Sequence, residues 1–327
     1  MIVFDVEFLG FPRRSHHVLL PAGPLEATRA GLALYDNTLL HQRLARTLGT
    51  ALLTLRLQRI YRLGTLPASL LDQRWWRGWC EQVAIPSIGP VERAAFRLWE
   101  DRIIALLMTA SGRPRGFVKV WRDPPGPPRP VPYMQCEVLK RLSGDRRSAF
   151  RVCALLLEGT LEGWAYQLFE PLPSGPHRRV AADPGHIARI FDEMRERLAD
   201  VPRSANIPPH YVIGHGDFTP RNVRRASDGN VWVLDWEYAR WSPRLVDELQ
   251  YWTAEYSCRV RPRPDRDARR VLARLRERGD DANIAEALRW GSYMTPGQSA
   301  IAKVVAREIG VERKETPVQS QENKGEA

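Results

Sequence analysis

The spacing of three polar residues, Asp217, Asn222 and Asp235, constrains this chain more than any other feature. Asn222 lies five positions after Asp217, and Asp235 lies eighteen positions after it. An apolar run at 211–214 leads into the motif, and the runs 223–225 and 231–234 read as two short strands joined by a Gly-containing turn. The pattern therefore predicts a hairpin with the two acids at its opposite ends, returning the chain to one cleft.

These residue types at this spacing form the catalytic-loop and metal-binding pattern of kinases. A phosphoryl group in transfer spreads negative charge over its oxygens, so a protein must hold Mg²⁺ at the phosphates and orient the acceptor hydroxyl. We therefore predict use of ATP and Mg²⁺, with Asp217 as general base and with Asn222 and Asp235 as metal ligands. In the alternative interpretation, Asp217 is a turn residue and Asp235 a strand-end charge.

The motif resembles that of the aminoglycoside phosphotransferase and choline kinase superfamily, in which HGDxxxxN is followed by a strand and Asp-Trp-Glu or Asp-Phe-Glu. The resemblance is strong over residues 213–249 and weaker over residues 95–310. It implies an α+β, bilobal, protein-kinase-like fold with a small antiparallel-sheet N-lobe and a mostly helical C-lobe. It also implies that Asp247 braces the catalytic loop as a structural residue.

Two departures from protein kinases narrow the predicted acceptor. Gly216 stands where protein kinases have the arginine that reads a phosphorylated activation loop, and Trp236 and Glu237 replace the Phe-Gly of their metal motif. Because no phosphoregulated loop is implied, we expect a small-molecule acceptor, or the terminal sugar of a glycan, rather than a protein serine.

Lys119 is the predicted phosphate anchor. Lysine occurs only five times in the chain, against 44 arginines, and Lys119 is the polar member of the otherwise apolar strand predicted at 116–121. A compact ammonium suits the phosphates of a nucleotide, and a nearby carboxylate would orient it. Glu137, on a helix predicted at 134–142, is the candidate partner; alternatively it pairs on the surface with Lys140 or Arg141.

The nucleotide site is less clearly marked elsewhere. Strands are predicted at 94–99 and 103–110, but no GxGxxG occurs between them, and members of the superfamily often lack it. The strand predicted at 164–170 ends in a Pro-rich segment where the resemblance implies the hinge. Backbone groups near Glu170 and Leu172 are therefore predicted to bind the adenine.

The predicted organisation has four parts. Residues 1–90 form an N-terminal, mostly helical extension, with two amphipathic helices over 25–63 and a tryptophan cluster at 75–79. Residues 91–170 form the N-lobe and residues 171–311 the C-lobe. The tail at 312–327 is predicted to be disordered from its composition.

Composition gives the remaining predictions. The four cysteines lack metal-ligand spacing, no secretory signal or membrane span is evident, and we predict a cytoplasmic protein. Surface contact by the arginine- and tryptophan-containing extension stays open as an alternative. The net charge of +11 comes without a nucleic-acid-binding motif, so no specific nucleic acid partner is predicted.

The densest basic run, at 259–278, lies where the resemblance places acceptor-binding elements. On Coulombic grounds it favours a neutral or anionic sugar-like alcohol over a cationic acceptor. Six aromatic residues between 236 and 256 offer a counterargument, a cage for choline, although each is by default a core residue. The predicted function is thus small-molecule phosphotransfer; the alternative is a catalytically idle kinase-like module that binds nucleotide or a partner.

Overall fold

The structure is a computed structural model, and the described residues fall into two compact units. The first unit holds residues 1–181 and 221–234, and the second holds residues 182–220 and 235–327. The structure describes residues 8–11, 18–21, 25–32, 51, 63–64, 73–98, 102–122, 134–144, 148–173, 177–180, 183–258, 263–290 and 294–311. The predicted disordered tail at 312–327 lies outside these ranges.

An eight-stranded antiparallel sheet forms the centre of the first unit, in the order β3-β1-β2-β4-β5-β6-β8-β7. The strands are β1 (Phe8–Phe11), β2 (Val18–Pro21), β3 (Leu63–Gly64), β4 (Arg93–Leu98), β5 (Arg102–Met108), β6 (Pro114–Arg122), β7 (Leu155–Leu161) and β8 (Trp164–Phe169). The strands predicted at 94–99, 103–110, 116–121 and 164–170 are confirmed as β4, β5, β6 and β8.

One face of this sheet packs against the tryptophans of α2 (Gln73–Trp79). Trp76 lies 5.2 Å from Trp79 and 5.1 Å from Phe96 of β4, measured between ring centroids. A π-helical turn (Cys80–Ala84) and α3 (Ile85–Ile88) continue α2. The predicted tryptophan cluster is therefore the core of the first unit, and no surface role is needed to explain it.

The other face of the sheet carries Lys119 and also contacts α1 (Leu25–Gly31). Alternation along β6 places Lys119 opposite to Val118 and Val120, which pack on the tryptophan side. Ala27 of α1 packs in a cluster with Ala95, Leu106 and Met108. A side chain at Gly31 would place its Cβ 2.7 Å from the Cβ of Ala95, so this close packing of helix on sheet requires glycine.

The N-terminal extension contributes strands as well as helices, which the sequence interpretation missed. Strands β1, β2 and β3 all lie within residues 1–90, and β2 pairs with β4 over Val18–Arg97 and Leu19–Phe96. These strands cover the edge of β4, which would otherwise present unpaired backbone groups. Of the two helices predicted over 25–63, α1 covers the start, and the stretches 33–50 and 52–62 lie outside the described residues.

Two further elements complete the first unit. Helix α4 (Gln135–Leu142) confirms the helix predicted at 134–142. A three-stranded sheet has the order β12-β11-β9, with β9 (Arg178–Arg179), β11 (Val223–Arg225) and β12 (Val231–Val233). The predicted hairpin is confirmed, because β11 pairs antiparallel with β12 and Gly229 in the intervening turn has φ +81°.

The second unit is mostly helical, as the resemblance implies. Its helices are α5 (Pro184–Arg197), α6 (Val246–Ser257), α7 (Pro264–Arg276), α8 (Asp281–Trp290) and α9 (Pro296–Glu308). A two-stranded antiparallel sheet joins β10 (Val212–Gly214) to β13 (Arg240–Ser242), with a 3-10 turn (Trp236–Tyr238) before β13. Together the two units give the predicted α+β class.

Among the described residues, every helix is too short or too polar to cross a membrane. The domain boundaries predicted at 90 and 170 differ from the limits of the two units, since residues 171–181 and 221–234 group with the sheet. The four-part organisation stays a prediction.

Candidate active site

The segment 215–219 is held by hydrogen bonds from five consecutive backbone N–H groups. The Asp247 carboxylate accepts the N–H groups of His215 at 2.5 Å and Gly216 at 3.0 Å. Asp217 N–H donates to Nδ1 of His215 at 3.2 Å. Phe218 N–H donates to Oε1 of Gln250 at 3.1 Å. Thr219 N–H donates to the carbonyl of Asp217 at 2.9 Å, so each backbone donor of this loop is satisfied.

Asp247 has the bracing role that the resemblance implies. Its side chain is buried in the first turn of α6. In both hydrogen bonds described above, the carboxylate accepts from a backbone N–H group. Burial raises the pKa of the Asp247 carboxyl, opposed by the nearby His215 and by the two N–H bonds. Removing Asp247 would leave two donors of the loop without an acceptor.

Asp217 is the central residue of this loop, with 9% of its surface exposed. Its Oδ1 accepts a hydrogen bond from Nε2 of Gln250 at 3.3 Å. Phe218, next to it, is fully buried, with ring centroids 4.6 Å from Phe191 and 5.7 Å from Tyr251. The buried ring of Phe218 therefore anchors the chain next to Asp217, and Gln250 binds the carboxylate itself.

His215 is a buried packing residue rather than a second acid or base. Its ring lies 4.6 Å from Trp236 and perpendicular to Phe218 at 5.6 Å. Because Nδ1 accepts the N–H of Asp217, the hydrogen-bond network assigns the ring proton to Nε2. The histidine of the motif therefore contributes to the shape of the loop.

Asp235 has an unusual backbone, with φ 68° and ψ 58° in the left-handed region. Only one other non-glycine residue, Glu162, has positive φ among those that the structure describes. Such conformations are costly and cluster at functional sites. The turn after Asp235 lies against the catalytic loop, because a Cβ at Gly216, which has φ +81°, would overlap the carbonyl of Tyr238.

Asn222 lies in the first unit, with 8% of its surface exposed. Its carbonyl accepts the N–H of Leu234 at 2.9 Å, and Leu234 directly precedes Asp235 in the chain. The amide oxygen of Asn222 and the carboxylate of Asp235 are hard donors, which fit Mg²⁺. No cluster of three or more His, Cys, Asp or Glu side chains with metal-ligand geometry occurs within the described part of the chain.

Lys119 is 7% exposed and lies between Ile104 of β5 and Gln167 of β8 in the sheet register. For Glu137, the predicted partner of Lys119, the observed ion pair is with a different residue. Its Oε1 accepts from Nε of Arg141 at 2.7 Å, four residues along α4, and 46% of its side chain is exposed. This is the surface pair of the alternative interpretation, and a role for Glu137 in orienting Lys119 stays a prediction.

The predicted hinge follows β8. Glu170 N–H donates to the carbonyl of Ala154 at 2.8 Å, and Leu172 is half-buried. Since the Glu170 N–H is already used, an adenine contact at this residue would rely on its carbonyl or on neighbouring backbone groups. The hinge role of Glu170 and Leu172 stays a prediction.

Gln250 is a contact of Asp217 that the sequence reasoning missed. It lies three positions after Asp247 on α6, so both side chains face the same way and reach one loop. That spacing was visible in the sequence. The contact of Gln250 with Asp217, 33 positions earlier, depends on tertiary packing.

Most of the aromatic residues that were candidates for a choline cage are buried in the core. Four of the six are in the core, at 8% exposure or less: Trp236, Tyr251, Trp252 and Tyr256. Trp241 stacks with Arg203, whose guanidinium carbon lies 5.6 Å from the ring centroid. Tyr238 is 52% exposed in the turn after Asp235. The default expectation of core packing holds for the four.

Several arginines of the basic run near α7 are paired with acids, which weakens the Coulombic argument made from the sequence. Arg276 forms a two-bond pair with Asp281, and Arg274 pairs with Glu277. Arg278 bonds both Asp192 and the buried Glu248. These pairs offset part of the positive charge of the run and so weaken the Coulombic reason to exclude a cationic acceptor.

The second unit also has a half-open cavity of about 440 Å³, lined in part by Arg195, Arg203, Tyr211 and Trp241. Asp217 and Asp235 are not among its lining residues. Arg195 forms an ion pair with the buried carboxylate of Glu248, and the guanidinium of Arg203 lies over the ring of Trp241.

Comparison with known families places the motif in a broader group. Residues 192–282 match the model of the phosphotransferase enzyme family, APH. This span holds Asp217, Asn222, Asp235, Asp247 and Gln250, and the match confirms the predicted relationship and the phosphotransferase class of the motif. No curated protein matches the chain at a significant level.

Three solved structures illustrate what the chain is similar to. A thermostable mutant of aminoglycoside phosphotransferase APH(4)-Ia, in complex with AMP-PNP and hygromycin B, is 14% identical, with 74% of this chain and 96% of that chain covered and a TM-score of 0.42. A putative fructosamine-3-kinase from Haemophilus somnus 129PT is 12% identical (72% and 99% covered, TM-score 0.40). LicA in complex with AMP is 11% identical (72% and 97% covered, TM-score 0.37).

Proposed function

We propose that this chain, whose residues 192–282 match the phosphotransferase enzyme family, is an Mg-ATP-dependent phosphotransferase that acts on a hydroxyl group of a small molecule. The observation that carries the proposal is the arrangement around Asp217. A mostly buried carboxylate, fixed by a side-chain amide in a loop whose N–H groups are all satisfied, is suited to orient and deprotonate an acceptor hydroxyl.

Each predicted site residue has a role in this proposal. Asp217 takes the acceptor's proton, and Lys119 binds the phosphates as a compact cation. Asn222 and Asp235 would hold Mg²⁺, which neutralises charge on the phosphates when bound. Backbone groups near Glu170 and Leu172 would bind the adenine. Glu137 would orient Lys119 only if its carboxylate leaves Arg141 and pairs with Lys119 instead.

The acceptor is proposed to be a neutral sugar-like alcohol. The sequence had favoured neutral or anionic acceptors because of the basic run, and the pairing of Arg274, Arg276 and Arg278 with acids weakens the support for an anionic one. Tyr238 offers an exposed ring near the catalytic loop on which a sugar face could stack. We further propose a cytoplasmic location, since all four cysteines are free thiols.

The test is ADP release from Mg-ATP across acceptors separated by charge: neutral sugars, sugar phosphates, choline and aminoglycosides. Asp217→Asn should lower the rate by about 100-fold to 10,000-fold if Asp217 is the general base. Glu196→Gln, which removes an exposed acid of α5, is the matched control and should retain the wild-type rate. A signal that survives Asp217→Asn would disprove the proposal.

The alternative, a catalytically idle module that binds nucleotide or a partner, makes a different prediction. It requires ATP binding, measured by calorimetry, without ADP release for any acceptor. It also predicts that Asp217→Asn leaves ATP affinity and all other measured properties unchanged.

A further inference from the structure

We propose that Gln250 is a positioning residue for Asp217, fixing the orientation of the carboxylate through one carboxamide group that also fixes the catalytic loop. The inference rests on the proposed function for its kinetic consequence, and on geometry alone for the contact itself.

The carboxamide of Gln250 contacts the loop twice. Oε1 accepts the N–H of Phe218 at 3.1 Å, and Nε2 donates to Oδ1 of Asp217 at 3.3 Å. A backbone N–H can only donate, so the atom facing Phe218 must be the oxygen, and the atom facing Asp217 must be the nitrogen. The first contact therefore determines that the second is a donor to the carboxylate.

Gln250 differs from its neighbour Asp247 in what it holds. Asp247 accepts two backbone N–H groups, from His215 and Gly216, and so fixes the start of the loop. Gln250 fixes the next turn and also the side chain on which the chemistry depends. A neutral donor can orient the carboxylate without placing a cation beside it, which would make the carboxylate a weaker base.

Gln250 is itself held firmly, at 1% exposure in the middle of α6. Its carbonyl accepts from Oγ1 of Thr253 at 3.1 Å and from Nε2 of Gln298 at 3.4 Å. Gln298 belongs to the capping box of α9, in which its side chain also accepts the N–H of Thr295. The start of α9 is thus linked through Gln250 to the carboxylate of Asp217.

Two substitutions separate the two contacts. Gln250→Glu keeps an oxygen for Phe218 N–H and removes the donor to Asp217, whereas Gln250→Met removes both at similar size. Ser257→Ala is the matched control, since it removes from α6 a part-buried hydroxyl that donates to the carbonyl of Ala254. Each variant is prepared in the full chain.

Kinetics of ADP release give the first readout. We expect Gln250→Glu to lower kcat by about tenfold to a hundredfold, with KM for ATP changed less than about twofold, because orientation rather than binding is lost. The acidic limb of its pH–rate profile should move to higher pH, because adjacent carboxyl groups retain a shared proton. Ser257→Ala should keep the wild-type profile even if its melting temperature falls.

Amide exchange gives a second readout that needs no activity. In protein labelled with ¹⁵N at its nine phenylalanines, the Phe218 amide should stay protected in Gln250→Glu and exchange faster in Gln250→Met. The ¹³Cγ signal of Asp217 should shift its titration in Gln250→Glu and not in Ser257→Ala. Wild-type kinetics together with an unchanged Asp217 titration in Gln250→Glu would overturn the inference.

The two proposals fail in different ways. If the wild type shows no phosphotransfer with any acceptor, the proposed function fails, while the exchange and ¹³Cγ measurements still decide whether Gln250 holds Asp217. If the wild type is active and Gln250→Glu is indistinguishable from it, the positioning role fails and the function stands.

Discussion

The two units of this chain differ in where they keep their charge. The ranges of the first unit hold 28 Lys and Arg against 16 Asp and Glu, a net +12, whereas the second unit has 21 against 22, a net −1. The whole basic excess of the protein therefore belongs to the unit with the large sheet. Net charge alone says nothing about the unit that carries Asp217.

The units also differ in what they bury. Of the fourteen buried polar or charged side chains found among the described residues, ten belong to the second unit. The interior of the first unit is dominated by tryptophan and aliphatic packing, with Lys119 and Asn222 as notable exceptions. Buried polar groups are costly unless they are hydrogen-bonded, so a concentration of them marks a region shaped by function as well as by folding.

Because the two units bury different kinds of groups, we expect them to respond differently to substitution. Changes in the first unit should act through apolar packing or through Lys119, and changes in the second should act through hydrogen bonds around one loop. Five substitutions test this difference.

Asp247→Ala should have the largest effect. It leaves the N–H groups of His215 and Gly216 without their acceptor, at a cost of about 1 to 3 kcal/mol each, and so should lower the free energy of unfolding by about 2 to 6 kcal/mol. Urea denaturation measures it. Asp265→Ala, at an exposed position on α7, is the control and should leave the midpoint unchanged. Equal stability of the two variants would mean that the loop is not held by Asp247.

Trp76→Ala is the corresponding test of the first unit. Loss of a fully buried indole from the tryptophan core should cost about 3 to 5 kcal/mol by leaving a cavity. The expected loss in the free energy of unfolding is comparable in size to that of Asp247→Ala, but it arises from lost packing rather than from lost hydrogen bonds. A cavity-binding apolar probe such as benzene should restore part of the stability of Trp76→Ala and none of that of Asp247→Ala.

Arg278→Ala tests the ion network of the second unit. Arg278 and Arg195 both contact Glu248, which is 1% exposed, and removing one partner leaves the buried carboxylate less compensated. We expect a loss of about 3 kcal/mol in the free energy of unfolding. Arg276→Ala, which removes an exposed arginine from the same basic run, should produce no measurable change. Similar losses in the two variants would indicate a general effect of charge.

Lys119→Arg asks whether the first unit supplies a specific cation or simply positive charge. A planar guanidinium does not replace a compact ammonium at a tight phosphate site, and kcat/KM for ATP should fall by about tenfold to a hundredfold. Lys140→Arg, on the exposed side of α4, is the matched control. Full activity of Lys119→Arg would remove Lys119 from the proposed site.

The smallest effect concerns acid stability through Asp192. The hydrogen bond from Arg278 lowers the pKa of the Asp192 carboxyl in the folded state. The stabilising contribution is therefore complete above the ordinary pKa of aspartate, about 3.9, and is lost as the pH falls through the lowered folded value. The stability difference between wild type and Asp192→Asn should be constant near neutral pH and shrink in acid. A difference independent of pH would contradict the assignment.

Local patterns predicted the elements next to the motif well. The hairpin β11–β12 follows from two short strand-like runs on either side of the turn at Asp228 and Gly229, and β6 follows from an apolar run interrupted only by Lys119. Helix α4 follows from its helical spacing of apolar residues. These predictions succeed because turn chemistry and hydrophobic periodicity act over a few residues.

Long-range pairings could not be predicted in the same way. Strands β1 and β2 are four residues each, and their membership of the sheet depends on the free edge of β4 rather than on their own sequence. Glu137 had two possible partners at helix spacing, and only the structure selects Arg141. The arginines of the basic run were read as a charged surface because their acids lie on other elements.

The sequence by itself determined the reaction class, because the spacing of Asp217, Asn222 and Asp235 is a local property of one loop and hairpin. Only the tertiary structure decided how that loop is held. The N–H groups of His215, Gly216 and Phe218 need acceptors, and the side chains that accept them, Asp247 and Gln250, come some thirty residues later on α6. A hydrogen bond depends on distance in space, which sequence spacing alone does not give for residues so far apart.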